Sequence, residues 1–274
     1  MGVVDVAVCQ LAPVLGDPEG NARLITDAVE TAAGVGARVV VLPELVSSGY
    51  AFADRAELLR YAERPDGPTV TRVAALARDR DLVVVAGFPE LGDDGVPYNS
   101  AVVADAGGVR AIYRKVHLWD AEKEIFAAGA AAPPVVDTAV GRVAVVVCYD
   151  LEFPEWLRLA ALGGADIVCA PTNWPAEPRP DGERPVEVVR AQASASVNRM
   201  YVAVADRVGD ERGVAWVGGS AIIGPDGFPR VLAAPGGQQV LVTSCVLADA
   251  RDKRVSARND ALADRRPDLY GTVP

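Results

Sequence analysis

Residues 143–156 read VAVVVCYDLEFPEW. Val143–Val147 is apolar and β-branched and too short for most helices, so it reads as a buried strand. The strand ends on Cys148, and Pro154 with Glu155 then opens a run to Leu162 that carries the proline and acid of a helix start. A thiol between a buried strand and a helix occupies the place where open α/β sheets present reactive groups. Taken alone the signal is ambiguous, because cysteine is also among the residues most often buried as a small hydrophobe.

Two other strand ends carry chemistry of the same kind. The run ARVVVLPEL delivers Glu44 just past Pro43, and VRAIYRKVHL delivers Lys115. Further strand-like runs lie at 3–9, 82–86, 99–104, 166–170, 201–205, 219–223 and 239–246, with helical patterns over 20–33, 69–80 and 185–199. Hairpin-type turns fall at 104–109 and 224–228. Helices alternating with strands, plus hairpins, predict a mixed α/β sheet system covered by helices. No linker or solenoid repeat divides the chain, so residues 1–248 are expected to form one domain. Residues 249–274 are charged and poor in apolar side chains, and read either as a loose tail or as an arm packed on a partner subunit. The loops 171–184 and 207–216 are long enough to be functional.

The charge balance of −10 argues against a general nucleic-acid binder, which needs clustered Lys and Arg. Half the residues are hydrophobic, yet no apolar run approaches the ~20 residues that span a bilayer. MGVVDVAVCQ lacks a basic segment before its apolar stretch and reads as a first strand rather than a signal peptide. The four cysteines, at 9, 148, 169 and 245, show no CxxC spacing, which argues against a zinc site and gives no reason to expect disulfides. A cytoplasmic protein is the expectation. Of the 27 basic residues only Lys115, Lys123 and Lys253 are lysines, so a lysine ending an apolar strand stands out.

Glu44, Lys115 and Cys148 make chemical sense together. A cysteine at its ordinary pKa is mostly thiol and needs a base or cation to become nucleophilic. Glu44 could take the proton if burial and a second carboxylate raised its pKa, and Lys115 could hold an oxyanion beside the backbone N–H of Tyr149. His117, the single histidine, could serve a Cys/His site or order its loop by hydrogen bonding; the loop-ordering role is preferred. No second histidine helps build a metal site, and no glycine-rich phosphate loop follows a strand, so neither metal nor cofactor is expected.

LPELVSSGY, YRKVHL and CYDLEFPE, in that order, resemble the three blocks of the nitrilase superfamily of carbon–nitrogen hydrolases. AEKEIFAAG, PYNSAVV, APTNWP and GGSAIIGPDG extend the likeness over most of residues 3–246. The resemblance implies a four-layer α-β-β-α sandwich that dimerises across helices, with Cys148 as nucleophile, Glu44 as general base and Lys115 as oxyanion stabiliser. It places Glu122 as a second glutamate orienting the lysine and the substrate, and it implies no metal or cofactor. The implied chemistry is thioester formation with release of ammonia, followed by hydrolysis. CYDLEFPE looks most like bacterial amidases of small aliphatic amides. N-carbamoyl amine or amino acid hydrolase and nitrilase are the alternatives within the superfamily, and a catalytically silent binding module is the alternative outside enzymology. Glu152 stands where relatives acting on carboxylate-tailed substrates often carry arginine. It either disfavours anionic substrates or pairs with a local arginine such as Arg158. Tyr50, Trp119, Tyr149 and Trp174 are candidate pocket walls, with Asn173 a candidate substrate hydrogen-bonding group. The expected partners are a small-molecule amide and a second copy of the chain, with no nucleic acid and no membrane.

Overall fold

The computed structural model describes residues 2–270. One six-stranded sheet holds β1 (Val4–Gln10), β2 (Val39–Val41), β3 (Val83–Leu91), β4 (Pro97–Asp105) and β5 (Gly108–Arg114). Its other edge is the late strand β14 (Gln239–Cys245), in the order β14-β1-β2-β3-β4-β5. The second sheet takes β6 (Val135–Thr138), β7 (Gly141–Val145), β8 (Ile167–Pro171), β9 (Tyr201–Ala205), β12 (Ala221–Ile223) and β13 (Pro229–Leu232). Their order is β13-β12-β9-β8-β7-β6. A two-residue ladder of β10 (Asp210–Glu211) and β11 (Val214–Ala215) stands apart.

Side-chain alternation assigns the layers. Val6 and Val8 of β1 pack with the second sheet, whereas Ala7 and Cys9 turn the other way. There they meet α1 (Pro18–Gly34) and α3 (Pro68–Arg80) through Ile25, Val29, Val70 and Val73. This period of two is what a strand packed differently on its two faces requires. In the second sheet the runs 143–147 and 167–170 are apolar without interruption, because α5 (Pro154–Leu162) and α6 (Val186–Asn198) cover the outer face. The layers therefore run α-β-β-α, as the resemblance implies. Three single-turn helices, α2 (Arg55–Leu58), α4 (Glu122–Ile125) and α7 (Pro267–Tyr270), and two 3₁₀ turns, Cys148–Glu152 and Leu247–Arg251, complete the described elements.

β1, β2 and β3 run parallel, as do β7, β8 and β9. Two antiparallel steps, through β4 to β5, return β5 to the direction of β3. Glu44, Lys115, Cys148 and Asn173 thus all follow strands at their carboxyl ends. From 249 onward the described chain lies on its own helices: Lys253 Nζ donates to the carbonyls of Asn198 and Arg199 at the end of α6. Arg158 in α5 donates to the Ala261 carbonyl. Residues 271–274 of the expected tail lie outside the described residues.

Candidate active site

The Glu44 turn rests directly on β3. Gly87 donates to the Pro43 carbonyl at 3.1 Å and accepts from Val46 N at 3.1 Å. A Cβ on Gly87 would lie 2.6 Å from Glu44 Cα and 2.5 Å from Leu45 N, so only glycine permits this approach. Leu45 itself takes a positive φ of 48°. Lys115 leaves β5 with its N–H on the Asn99 carbonyl at 2.8 Å and its own carbonyl accepting from Gly129 N at 2.8 Å.

Both side chains are fully buried, and α4 supplies a third charge. Lys115 Nζ lies 2.8 Å from Glu44 Oε1 and 2.8 Å from Glu122 Oε2. Asn99 Nδ2 donates to Glu44 Oε1 at 2.7 Å and to Glu122 Oε1 at 3.1 Å, tying the two carboxylates to one amide. The Trp119 N–H donates to Glu122 Oε2 at 2.8 Å. Glu44 Oε2 is buried with no protein partner.

Cys148 opens a 3₁₀ turn over Cys148–Glu152 at φ 47°, a conformation that non-glycine residues rarely adopt. Asp150 holds this turn, accepting the Val147 N–H at 3.0 Å and the Tyr113 hydroxyl at 2.7 Å. The other Asp150 oxygen takes His117 N at 3.0 Å and faces His117 Nδ1 at 2.7 Å. The His117 ring also stacks on Phe153 at 3.7 Å. His117 therefore orders its loop, and through Asp150 it fastens the Lys115 segment to the Cys148 turn. As the first turn of a short helix, 148–149 carries backbone N–H groups without intrahelical acceptors, which suits the Tyr149 N–H to a developing anion.

Burial raises the Glu44 carboxyl to about 7; Lys115 opposes the shift and Glu122 adds to it. Burial would lower Lys115, but Glu122 and Glu44 outweigh it and hold the ammonium well above its ordinary value. Burial, with Glu44 nearby, pushes the Cys148 thiol well above its ordinary value. The resting site is therefore a neutral thiol beside a carboxyl that titrates near neutrality and an ammonium that stays charged. Such a set can deprotonate sulfur during attack and stabilise negative oxygen.

Cys148, 6% exposed, surfaces in a cavity of about 190 Å³. Trp119, Tyr149, Glu152, Asn173 and Trp174 line it with Cys148. Asn173 Nδ2 donates to the Glu44 carbonyl at 2.9 Å, leaving Oδ1 as a buried acceptor without a partner. Glu152 pairs with Arg190 at 2.8 Å. Arg158, its alternative partner from sequence, turns instead to the carbonyls of Ala261 and Val197. Tyr50 is not among the cavity walls. It packs edge-on to Trp216 at 5.3 Å, and burial, with Glu122 and Glu44 nearby, raises its hydroxyl well above the ordinary tyrosine value.

Sequence reasoning passed over Asn99, although PYNSAVV lies within the resemblance. It also passed over Glu211, whose carboxylate takes the Tyr50 and Ala51 N–H groups at 2.9 and 2.7 Å. Buried Arg207 holds Glu211 in turn. Among the described residues no group of three His, Cys, Asp or Glu could hold a metal ion, and no helix is long and apolar enough to cross a membrane.

Residues 5–255 match the profile of the carbon–nitrogen hydrolase family. The chain belongs to that family. This hydrolase is 37% identical over 271 residues to a nitrilase of Pyrococcus abyssi, covering 98% of this chain and 99% of that one. It is 34% identical to an (R)-stereoselective amidase of a Pseudomonas species, covering 97% and 93%. A nitrilase-superfamily amidase from Nesterenkonia sp. AN1 superposes with a TM-score of 0.79 at 30% identity, covering 98% of both chains. That structure is of a mutant carrying acrylamide added to its active-site cysteine. The protein is accordingly a hydrolase acting on carbon–nitrogen bonds.

Proposed function

We propose that this hydrolase cleaves small amides to a carboxylic acid and ammonia through a thioester on Cys148, with uncharged aliphatic amides as minimal substrates. One observation carries the reading: a buried ammonium held by two carboxylates behind a thiol, with one carboxylate oxygen, Glu44 Oε2, left free. Glu44 takes the Cys148 proton as Sγ attacks the amide carbon, and Lys115 Nζ with the Tyr149 N–H receives the oxyanion. The carbon–nitrogen bond then breaks, Glu44 returns the proton to the departing nitrogen, and ammonia leaves. Water activated by the same carboxylate attacks the thioester, releasing the acid and restoring the thiol.

Supporting the amide as the bond attacked, Asn173 Oδ1 offers a buried acceptor for its N–H₂. Supporting a small substrate, the cavity of about 190 Å³ is well below the 300–1,000 Å³ of sites for drug-sized ligands. Glu122 serves as a positioning residue for Lys115, and Tyr50 as its support. We further infer a homodimer in the cytoplasm, with residues 249–270 beside the interface. The exposed Leu159, Leu162, Val189 and Val197 on α5 and α6 favour that association, and four unpaired cysteines favour a reducing compartment. An ammonia-release screen over short aliphatic, aromatic, dicarboxylic and carbamoyl compounds and nitriles tests the substrate, and intact-mass detection of an acyl adduct lost in Cys148→Ala tests the mechanism. No turnover of any amide would refute the reading. Light scattering that finds only monomer would refute the dimer.

A further inference from the structure

Cys148 lines the cavity while Glu44 and Lys115 are buried out of it, and the cavity wall has a charge pattern of its own. Glu152, Glu177 and Glu187 line it against a single cation, Arg190. Arg190 is already engaged with Glu152 at 2.8 Å, so the wall holds a surplus of two negative charges. The arginines of the adjoining loop do not relieve it. Arg179 and Arg184 line a separate cleft beyond that loop, where Arg184 donates to Gln192 at 2.8 Å. Buried Lys115 is matched by Glu44 and Glu122, so no positive field from within offsets the wall.

Glu152 stands at the far end of the same 3₁₀ turn that begins with Cys148. Four residues at about 2.0 Å rise separate the two by about 8 Å along the turn, a span a short acyl chain can bridge. Between them the walls are apolar, with Trp174 at 3% exposure, Trp119, and Val186 on α6.

We propose that the acidic wall formed by Glu152, Glu177 and Glu187 is a distal subsite for a positively charged group, so that the preferred substrates are short amides ending in an ammonium. This rests on the amidase reading and adds to it the charge of the substrate's far end. Glu152 is the principal contact, because Arg190 fixes its carboxylate while leaving the second oxygen to a ligand. Glu187, one turn of α6 before Arg190, and Glu177, on the loop above, supply the surrounding field. A carboxylate-tailed amide would meet repulsion unless it displaced Glu152 from Arg190.

The test is a matched series of butyramide, 4-aminobutyramide and succinamate, measured as kcat/KM by ammonia release. The expected order is cation, neutral, anion, with each step about tenfold, the strength of two ordinary solvent-facing charge contacts. Added salt should compress the ratio of 4-aminobutyramide to butyramide, and Glu152→Gln and Glu187→Gln should each reduce it severalfold. Equal rates for the three, or preference for succinamate that Arg190→Gln removes, would overturn this inference and leave the amidase reading standing. Failure to hydrolyse butyramide and both analogues would refute the amidase reading and this inference with it.

Discussion

Removing the charge of Glu122 should lower the pH at which the enzyme switches on. Glu44 and Glu122 each bond Lys115 Nζ through Oε1, at 2.8 and 2.9 Å. Their oxygens therefore lie no farther apart than about 5.7 Å, where two unit charges at an effective dielectric of about 20 repel by about 2.9 kcal/mol. That is about 2 pH units of upward pressure on Glu44, in the sense in which Glu122 acts on it. Glu44 must be ionised to accept the thiol proton, so in the parent enzyme kcat/KM should rise with pH through a midpoint near 7. In Glu122→Gln the midpoint should fall by about 1–2 units, since glutamine retains part of the carboxylate's dipole. The plateau should fall as well, because Lys115 loses one of its anchors. The assay is ammonia release from butyramide over about pH 4–9, with substrate well below KM so that the free-enzyme ionisation is read. A midpoint that stays in place, or moves up, would refute the assignment of Glu44 as the titrating base under Glu122's influence.

Asn99→Leu should move the same midpoint the other way, up by about 1 unit, because it removes a hydrogen bond to ionised Glu44; pH–rate profiles of both variants check the opposed signs. Lys115→Met should reduce kcat/KM by more than about 10²-fold. By leaving two buried carboxylates facing each other it should also lower Tm by about 10 °C, read by calorimetry. Gly87→Ala should cost about 1–3 kcal/mol in denaturant unfolding and depress turnover as well, since the new methyl displaces the backbone that carries Glu44; a variant of full activity and stability would contradict that packing.

The strands were readable because burial writes itself into composition, whereas the four-layer order came from the family resemblance. The unbroken run 143–147 marks a buried strand, but β1 is apolar from Val6 to Cys9, and only the fold sends Val6 and Val8 to one neighbour and Ala7 and Cys9 to another. β6 and β13 escaped notice because each is a four-residue edge strand, one close behind Pro133-Pro134 and the other opening on Pro229. In the site, Glu44, Lys115 and Cys148 were legible because each ends an apolar run that would not otherwise carry a reactive group. Asn99 was not, since within PYNSAVV it looks like any polar residue on a strand; only the fold sets its amide between two carboxylates. The contact of Tyr50 with Glu211 spans 161 residues and leaves no local pattern. Glu152 lines the cavity beside Cys148, but its partner depended on which helix face met the turn, and α6 presents Arg190 there.

The enclosure of Glu44 and Lys115 has a consequence for how the reaction responds to its medium. Passing the proton from Sγ to Glu44 relocates one negative charge within a compartment of fixed total charge, so the first step is isocoulombic. Bulk water has no new ion to solvate, and dissolved salt has none to screen, when the thioester forms from a neutral amide. Ionic strength should therefore act on capture at the acidic wall and leave kcat for butyramide unchanged. In this enzyme sensitivity to salt and sensitivity to pH belong to different places, the first at the acidic cavity wall and the second in the buried Glu44–Lys115–Glu122 cluster.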